Sequence, residues 1–363
     1  DKSPPVIEEP GRLFPIDLEY LPTKDLRQGS EYEVAKKSGN VTLYRDKNRD
    51  KPDGEGQKEK FNTSPYVDLL QLIDKRHKNQ KGDLLIFLPG INEIEHCCEA
   101  LKIYAQESGK WIICPLHSTL TIEEQDKCFR YPPEGVRKCI VATNIAETSV
   151  TFDGIRYVAD SGKEKQIYYD EMTRIESLRE QNISMASAKQ RMGRAGRTGP
   201  GICFRMYSQK DYDLFSEYQT PEIHRTSLDS TLLQIIALND NLQIYGNKAW
   251  LNFGWLEQPN EEARDLAIDS LKFNGCLSET DLLTKIGIIL SKLPVDITVG
   301  KMLLFGKILN VAEHAMMICA AISVQNPFSR KSFMDSYCYD RWKDELLSEN
   351  GDPFTLNNAF NTW

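Results

Sequence analysis

The sequence predicts an α/β protein whose parallel sheet is followed by a mostly helical region. Three observations carry that reading. From residue 65 to 207, short apolar runs alternate with stretches of helical periodicity, as expected of parallel strands buried on both faces beneath their crossover helices. Beyond Asp211 the runs give way to apolar stripes at i, i+3 and i+4, the signature of helices packed on one side. The chain has 363 residues, 40% of them hydrophobic, which is long for one domain and rich enough for more than one core.

Taken in order, GRLFPIDLEYLP at 11–22 leads into residues 24–60, where Lys, Asp, Glu, Arg, Gly and Asn dominate. Such a segment buries too little surface to offset its ordering entropy, so a mobile polar insertion is expected there. Tyr66, Val67, Leu69, Leu70 and Ile73 mark a helix, and Leu84–Leu88 a buried strand. Asn92 with Glu95 has capping-box spacing, and Ile91, Ile94, Cys98, Leu101, Tyr104 and Ala105 continue a helical stripe. Trp111–Cys114, Cys139–Ala142, Ile155–Ala159 and Ile202–Tyr207 read as further strands. Residues 163–182 alternate well enough for an antiparallel hairpin, with a plain connecting loop as the alternative.

In the second region, Leu228, Leu232, Leu233, Ile235 and Ile236 form one helical stripe. Ala263, Leu266, Ala267 and Phe273 form another that ends near Gly275. Leu282–Thr284 and Ile288–Leu293 suggest a short strand pair around Gly287, and after Pro294 apolar positions from Met302 to Ile322 open a helical module.

Composition excludes several classes. No apolar run approaches the roughly 20 residues of a membrane span, and no signal-peptide pattern opens the chain. The nine cysteines include no C-x-x-C pair, so neither a disulfide framework nor a zinc site is indicated. Cys97, Cys128, Cys139, Cys203, Cys276 and Cys319 lie in apolar patterns, as reduced core thiols do, which points to the cytoplasm or nucleus. A net charge of −8 argues against a generally basic nucleic-acid binder. It leaves room for an RNA channel, whose field is local.

Function is written most densely in Gln190-Arg191-Met192-Gly193-Arg194-Ala195-Gly196-Arg197. Ser187 and Gln190 have the spacing of a capping box that would start a helix. On that helix Gln190, Arg194 and Arg197 fall at i, i+4 and i+7, so one stripe carries an amide and two guanidiniums. Two rigid charged forks on one face suit the spread charge of a transferring phosphoryl group. A solvated basic face is the alternative; the interleaved glycines count against it, because they make poor helix. Thr143-Asn144-Ile145-Ala146-Glu147-Thr148-Ser149 follows the apolar run Cys139–Ala142. A hydroxyl-rich loop at the carboxyl end of such a strand is where open α/β sheets bind ligands.

Together, ATNIAETSVTFDG at 142–154 and QRMGRAGR at 190–197 resemble motifs V and VI of the DEAH-box helicases, whose DEAD-box relatives usually carry His where Gln190 stands. GRLFPI at 11–16, LLIFLPG at 84–90, PLHSTL at 115–120 and QDKCFRYPPEGVRKCIVATN at 125–144 match in order. So do DSGKEKQIYYD at 160–170, LPVDITVGKML at 293–303 and GDPFTLNNAFNTW at 351–363. Within the family the likeness is greatest to the branch associated with nonsense-mediated mRNA decay. The resemblance implies a RecA-like domain 2 over 1–210 (with the polar insertion at 24–60), a winged-helix domain over 211–292, and the start of a helical ratchet domain over 293–363. It implies a hairpin at 163–182 that projects toward the point of RNA strand separation.

It also implies roles. Arg194 and Arg197 would be fingers on the γ-phosphate of ATP, and Gln190 would position that phosphate or the attacking water. Phe129 would stack on adenine, Ser149 would sense the nucleotide, and Asp153 would accept from the ribose hydroxyl. Thr143, Asn144 and Gly90 would contact the RNA backbone. From the residues alone, Phe129 reads equally as a core side chain, Asp153 as a turn residue before Gly154, and Leu88-Pro89-Gly90 as a simple turn. Phe152 departs from the Ile or Leu common in the family. His117 is expected to be a hydrogen-bonded structural residue.

No G-x-x-x-x-G-K-[ST] loop and no Asp-Glu-Ala-His sequence occurs. The phosphate loop and the Mg²⁺ ligands are therefore expected in a first RecA-like domain of the same polypeptide. With Asp1 at its start and Trp363 within a helical module, the chain reads as the second half of a helicase core plus its following domains. RNA, that first domain, and an activator or mRNA-decay proteins are the expected partners. An inactive helicase-like scaffold and a DNA translocase remain as alternatives.

Overall fold

The computed structural model describes residues 14–22, 33–37, 41–45, 61–78, 80–148, 150–170, 173–242, 251, 253–324 and 344–362. It resolves two compact units, Asp1–Tyr168 with Ser177–Thr220, and Tyr169–Glu176 with Pro221–Trp363.

The first unit is built on one sheet. In chain order its strands are β1 (Ile16–Tyr20), β2 (Glu33–Lys37), β3 (Val41–Arg45), β4 (Asp83–Phe87), β5 (Trp111–Leu116), β6 (Arg137–Ala142), β7 (Ile155–Asp160) and β10 (Gly201–Arg205). Their order across the sheet is β2-β3-β1-β10-β7-β4-β6-β5. Every neighbouring pair is parallel except β2 and β3. Helices α1 (Ser64–Arg76), α2 (Ile91–Ser108), α3 (Ile122–Lys127), α4 (Ile145–Thr148), α5 (Met185–Gly193) and α6 (Gln209–Asp213) accompany these strands.

Strand periodicity sorts the central residues into two cores. Leu84, Ile86, Cys139 and Val141 pack with Leu70, Ile73, Leu101 and Trp111 in one cluster. Leu85, Phe87, Ile140 and Ala142 pack with Phe152, Val158 and Cys203 in the other. All five residues of β4 are buried, which is why Leu84–Phe87 run apolar without alternation.

The polar insertion expected over 24–60 is corrected in part: β2 and β3 fall inside it, and β3 pairs with β1 from Leu18↔Val41 to Tyr20↔Leu43. The open backbone groups of a sheet edge pair with any extended segment, whatever its net polarity. Val41-Thr42-Leu43-Tyr44 after Ser38-Gly39-Asn40 is a strand following a turn-forming triplet. The rest of 24–60 lies outside the described residues.

The hairpin expected over 163–182 is present as β8 (Lys163–Asp170) and β9 (Ile175–Asn182), which form their own two-stranded sheet. Its turn, Tyr169–Glu176, groups with the second unit.

That unit contains α7 (Asp229–Leu242), α8 (Glu261–Phe273), α9 (Lys285–Leu290), α10 (Ile297–Ile308), α11 (Ala312–Ser323) and α12 (Asp352–Thr362). Leu228, Leu232, Leu233 and Ile236 meet Ala267, Ile268, Leu271, Leu290 and Ile297 in a common core. Where a strand was expected over Ile288–Leu293, Ile288–Leu290 instead end helix α9 and a turn follows, and the local pairing is the bridge Leu277↔Leu283. Thr284 decides this by accepting the Gly287 N–H at 3.0 Å as a helix N-cap. Among the described residues, no helix is long and apolar enough to cross a membrane.

Candidate nucleotide and RNA sites

Helix α5 starts one turn earlier than its sequence spacing suggested. Ser184, not Ser187, is the N-cap and accepts the Ser187 N–H at 3.1 Å. Ser187 is buried and donates its hydroxyl to the Glu147 carboxylate, so it is committed elsewhere. The helix ends at Gly193, and Arg194–Gly196 tighten into a 3₁₀ turn. The single stripe expected of Gln190, Arg194 and Arg197 is therefore broken. Gln190 and Arg197 are exposed, whereas Arg194 turns inward and is 6% exposed.

Arg194 donates from Nε to the Glu147 carbonyl at 2.8 Å and from Nη1 to the Val150 carbonyl at 2.7 Å. Its Nη2 also donates to the Glu147 carbonyl. Burial lowers its pKa, the nearby positive charge of Arg197 lowers it further, and Glu147 opposes both. Arg197 donates from Nη1 to Thr151 Oγ1 at 2.8 Å. The next residue, Phe152, is buried and stacks on the half-exposed ring of Phe129, with centroids 5.0 Å apart and planes at 25°. After it comes Asp153, exposed, whose Oδ2 accepts from the Tyr131 hydroxyl at 3.3 Å. Four consecutive residues, Val150 to Asp153, thus gather both arginines and the aromatic platform onto one strip. Ser149, expected to sense the nucleotide, lies outside the described residues. Beside Asp153 a crevice of about 820 Å³ opens at the amino ends of β4 and β7, lined by Lys81, Asp83, Tyr131, Gly154 and Arg156 among others.

The RNA-side candidates sit at the opposite, carboxyl ends of two adjacent strands. β4 and β6 pair in parallel, and the Leu88 N–H donates to the Ala142 carbonyl at 2.8 Å. This brings the turn before Gly90 beside Thr143 and Asn144. Asn144 is exposed and Thr143 half-buried. Their carbonyls accept the N–H groups of Glu147 and Ala146, so the turn is braced from within. Gly90 precedes α2 in an extended conformation. A Cβ there would lie 2.5 Å from Lys165 Nζ and 2.6 Å from Glu93 Oε2. Those two groups form an ion pair at 2.8 Å.

Sequence reasoning missed Arg191. It is fully buried, donates from Nε to Glu147 Oε2 at 3.1 Å and from Nη1 to Asp160 Oδ1 at 2.9 Å, and lies over the Phe87 ring. Its Nη1 also reaches the Lys163 carbonyl at 3.2 Å. Burial opposes its charge, but Asp160 and Glu147 outweigh burial and its pKa is raised. Tyr207 donates its hydroxyl to the other oxygen of Asp160 at 2.9 Å. Glu147 is the meeting point: its carboxylate holds Arg191 and Ser187, and its carbonyl holds Arg194. The signal in the sequence was an arginine on the apolar face of α5, beside Ala188.

His117 is buried and hydrogen-bonded to Thr119 at 2.7 Å, as a structural residue should be. All eight cysteines among the described residues are free and buried. No group of three or more His, Cys, Asp or Glu among the described residues is placed to hold a metal ion.

A parallel sheet with an arginine-bearing turn packed against the loop after β6 is the arrangement of a helicase motor domain. Residues 65–199 match the helicase conserved C-terminal domain, and residues 296–356 match the ratchet-like helicase associated domain HA2. The chain is 42% identical over 360 residues to the human probable ATP-dependent RNA helicase DHX34, covering 99% of this chain and 28% of that protein. It is 34% identical over 313 residues to the mouse ATP-dependent DNA/RNA helicase DHX36, covering 82% of this chain and 31% of that protein. The crystal structure of the E. coli DExH-box NTPase HrpB is similar at a TM-score of 0.66 and 26% identity, over 96% of this chain and 37% of that one. The chain therefore spans less than a third of the curated relatives' length. It belongs to the DEAH-box family of helicases, of which it carries the conserved C-terminal domain and part of the helicase-associated region.

Proposed function

We propose that the chain is the second half of an ATP-dependent DEAH-box RNA helicase, supplying arginine fingers and RNA-backbone contacts for translocation, unwinding or remodelling of RNA–protein complexes. Its domains are the RecA-like domain 2 at 1–210, the winged-helix domain at 211–292 and the start of the ratchet domain at 293–363. The observation that carries the reading is the strip Val150–Asp153, on which Arg194, Arg197, Phe129 and Tyr131 converge. ATP fits this strip: Phe129 offers a half-exposed ring for the base, and Asp153 an exposed carboxylate for a ribose hydroxyl. Arg197 and Gln190 remain exposed to meet phosphate charge supplied across a closing cleft. The carboxylates that hold Mg²⁺, which would neutralise charge on the β- and γ-oxygens, belong to the first RecA-like domain. Thr143, Asn144 and Gly90 hold the RNA backbone through small polar groups and main chain, which fix phosphates without reading sequence.

The stretches DSGKEKQIYYD, LPVDITVGKML and GDPFTL favour an mRNA quality-control setting in the cytoplasm or nucleus, with an activator or mRNA-decay proteins as partners. The scaffold alternative has no use for an exposed Arg197 beside an open aromatic platform.

The test is RNA-stimulated ATP hydrolysis by the full-length helicase. Arg197→Ala, which removes little packing, should lower turnover by about 10³-fold or more while leaving ATP and RNA binding within a few-fold. Turnover within a few-fold of the unmodified enzyme would end the finger assignment and favour the scaffold.

A further inference from the structure

The start of α5 is held by a segment from later in the chain. A helix leaves its first N–H groups without partners of its own. Here the Met185 and Ala186 N–H groups donate to the Ser216 and Glu217 carbonyls at 2.8 and 3.1 Å. Ser216 and Glu217 belong to the stretch that leaves the first unit, whose last residue is Thr220. Within the same stretch, Gln219 Nε2 donates to both carboxylate oxygens of Glu164 at 2.8 and 2.9 Å, and to the Ser187 hydroxyl at 3.3 Å. Carboxylate oxygens accept, so the amide nitrogen has to face them. Glu164 is the second residue of β8 and is 2% exposed. Its carboxylate is held by the amides of Gln166 and Gln219, while nearby Arg191 is committed to Glu147 and Asp160. Burial pushes the Glu164 pKa up, Arg191 opposes this, and Glu147 adds to it. A buried carboxylate held by amides costs stability that an apolar residue would not, and such departures are found where a fold serves a function. The hairpin base, the start of α5 and the exit segment therefore meet at one amide. From Ser187 the chain of contacts continues to Glu147, whose carbonyl seats Arg194.

We propose that Gln219 and Glu164 form a joint that fixes the start of α5 against the hairpin base and the exit segment, and that this joint sets how strongly RNA raises ATP turnover. The inference rests on the proposed reading in which the arginine turn after α5 acts on phosphate charge during RNA-stimulated hydrolysis. Gln219 and Glu164 are positioning residues, because they act through α5. That helix runs from Met185 to Gly193 and passes directly into the turn that carries Arg194, so a shift at its start is carried to the arginines. Gln219 is exposed, so alanine there removes little packing. Without the amide, the two backbone bonds from Met185 and Ala186 still start the helix in place. The exit segment and the hairpin base then no longer move as one.

The experiment measures ATP turnover by the full-length helicase with and without saturating single-stranded RNA. Gln219→Ala should reduce the ratio of RNA-stimulated to basal kcat by about 3- to 10-fold. Basal kcat, the KM for ATP and the Kd for RNA should stay within about two-fold. Glu164→Gln keeps the volume but offers a single acceptor oxygen, and should lower the same ratio by a smaller factor. The double variant should lose no more than Gln219→Ala alone, because both changes remove one contact. Thermal unfolding of the three variants checks that the fold is kept. A purely structural role would lower basal and stimulated kcat together and leave their ratio unchanged. That result, or losses that multiply in the double variant, would overturn the proposal. Arg197→Ala in the same assay separates the two levels. If it abolishes turnover while Gln219→Ala keeps the ratio, only the joint fails. If it leaves turnover intact, the finger reading fails and the joint falls with it.

Discussion

Removing the side chain of Arg191 would leave the carboxylates of Glu147 and Asp160 buried without the cation they share. Breaking a buried pair from one side costs about 3–5 kcal/mol, because the remaining charge keeps its desolvation penalty. Arg191→Ala should therefore lower the unfolding free energy of the chain by about that amount in a urea titration. Arg197→Ala, exposed and held by one hydrogen bond to Thr151, should stay within about 0.5 kcal/mol. Equal losses for the two would refute the division into a structural and a free arginine. Arg194 lies between them: each of its three guanidinium nitrogens donates to the Glu147 or Val150 carbonyl, so its loss would disturb the loop as well as any phosphate contact. Gln190 and Arg197 stand out in the sequence as an amide and a guanidinium close to a run of glycines, and both are exposed in the structure. Arg191 does not stand out, since its partners lie 44 and 31 residues away and no periodicity reaches that far.

At the scale of elements, the turn that carries the arginines is seated on the start of β10. A Cβ on Gly201 would lie 2.3 Å from the Ala195 carbonyl oxygen and 2.7 Å from that of Arg156. Both obstacles are backbone, and β10 is held between β1 and β7, so neither can yield cheaply. Gly201→Ala should cost about 2 kcal/mol or more in stability. It should also depress ATP turnover in the full-length helicase without touching nucleotide, by pushing on the 3₁₀ turn. A fully stable Gly201→Ala chain would mean that the turn is free to shift. In sequence, Gly199-Pro200-Gly201 reads only as a turn, because the close approach is made by chain folded from elsewhere. The central strands are legible for the opposite reason, since burial on both faces writes itself as unbroken apolar runs, and α1 is legible from the spacing of Tyr66, Leu69, Leu70 and Ile73 on its buried face. One helix start was misjudged where a polar residue near the terminus had a better partner than the backbone: Ser187 is taken by Glu147. Another, α2, begins after Gly90 rather than at Asn92. β2 and β3 escaped notice because the mixed-charge composition of 24–60 outweighed the short run Val41–Tyr44, and sheet pairing is made by backbone whatever the side chains.

The RNA-backbone contacts proposed above have a measurable consequence at the scale of the chain. The net charge is −8. The three residues proposed to contact RNA at the carboxyl edge of the sheet, Gly90, Thr143 and Asn144, are uncharged. The cation nearest Gly90, Lys165, is paired with Glu93 at 2.8 Å, with both side chains mostly buried. Affinity for single-stranded RNA is salt-dependent to the extent that Lys and Arg displace counterions, with log Kobs falling at about −0.7 per phosphate neutralised. Contacts through hydroxyl, amide and main-chain N–H groups release few counterions, so they position phosphates while adding little to that slope. The 363-residue chain should therefore bind single-stranded RNA weakly and with little base preference. Its slope against salt should be shallow, about −1.5 or less in magnitude. Fluorescence anisotropy with labelled poly-U and poly-A across 50–300 mM salt would measure both quantities. A slope steeper than about −3 would mean that lysines, not the turn at Thr143–Asn144, hold the strand, and the RNA-backbone assignment would have to move to a basic surface.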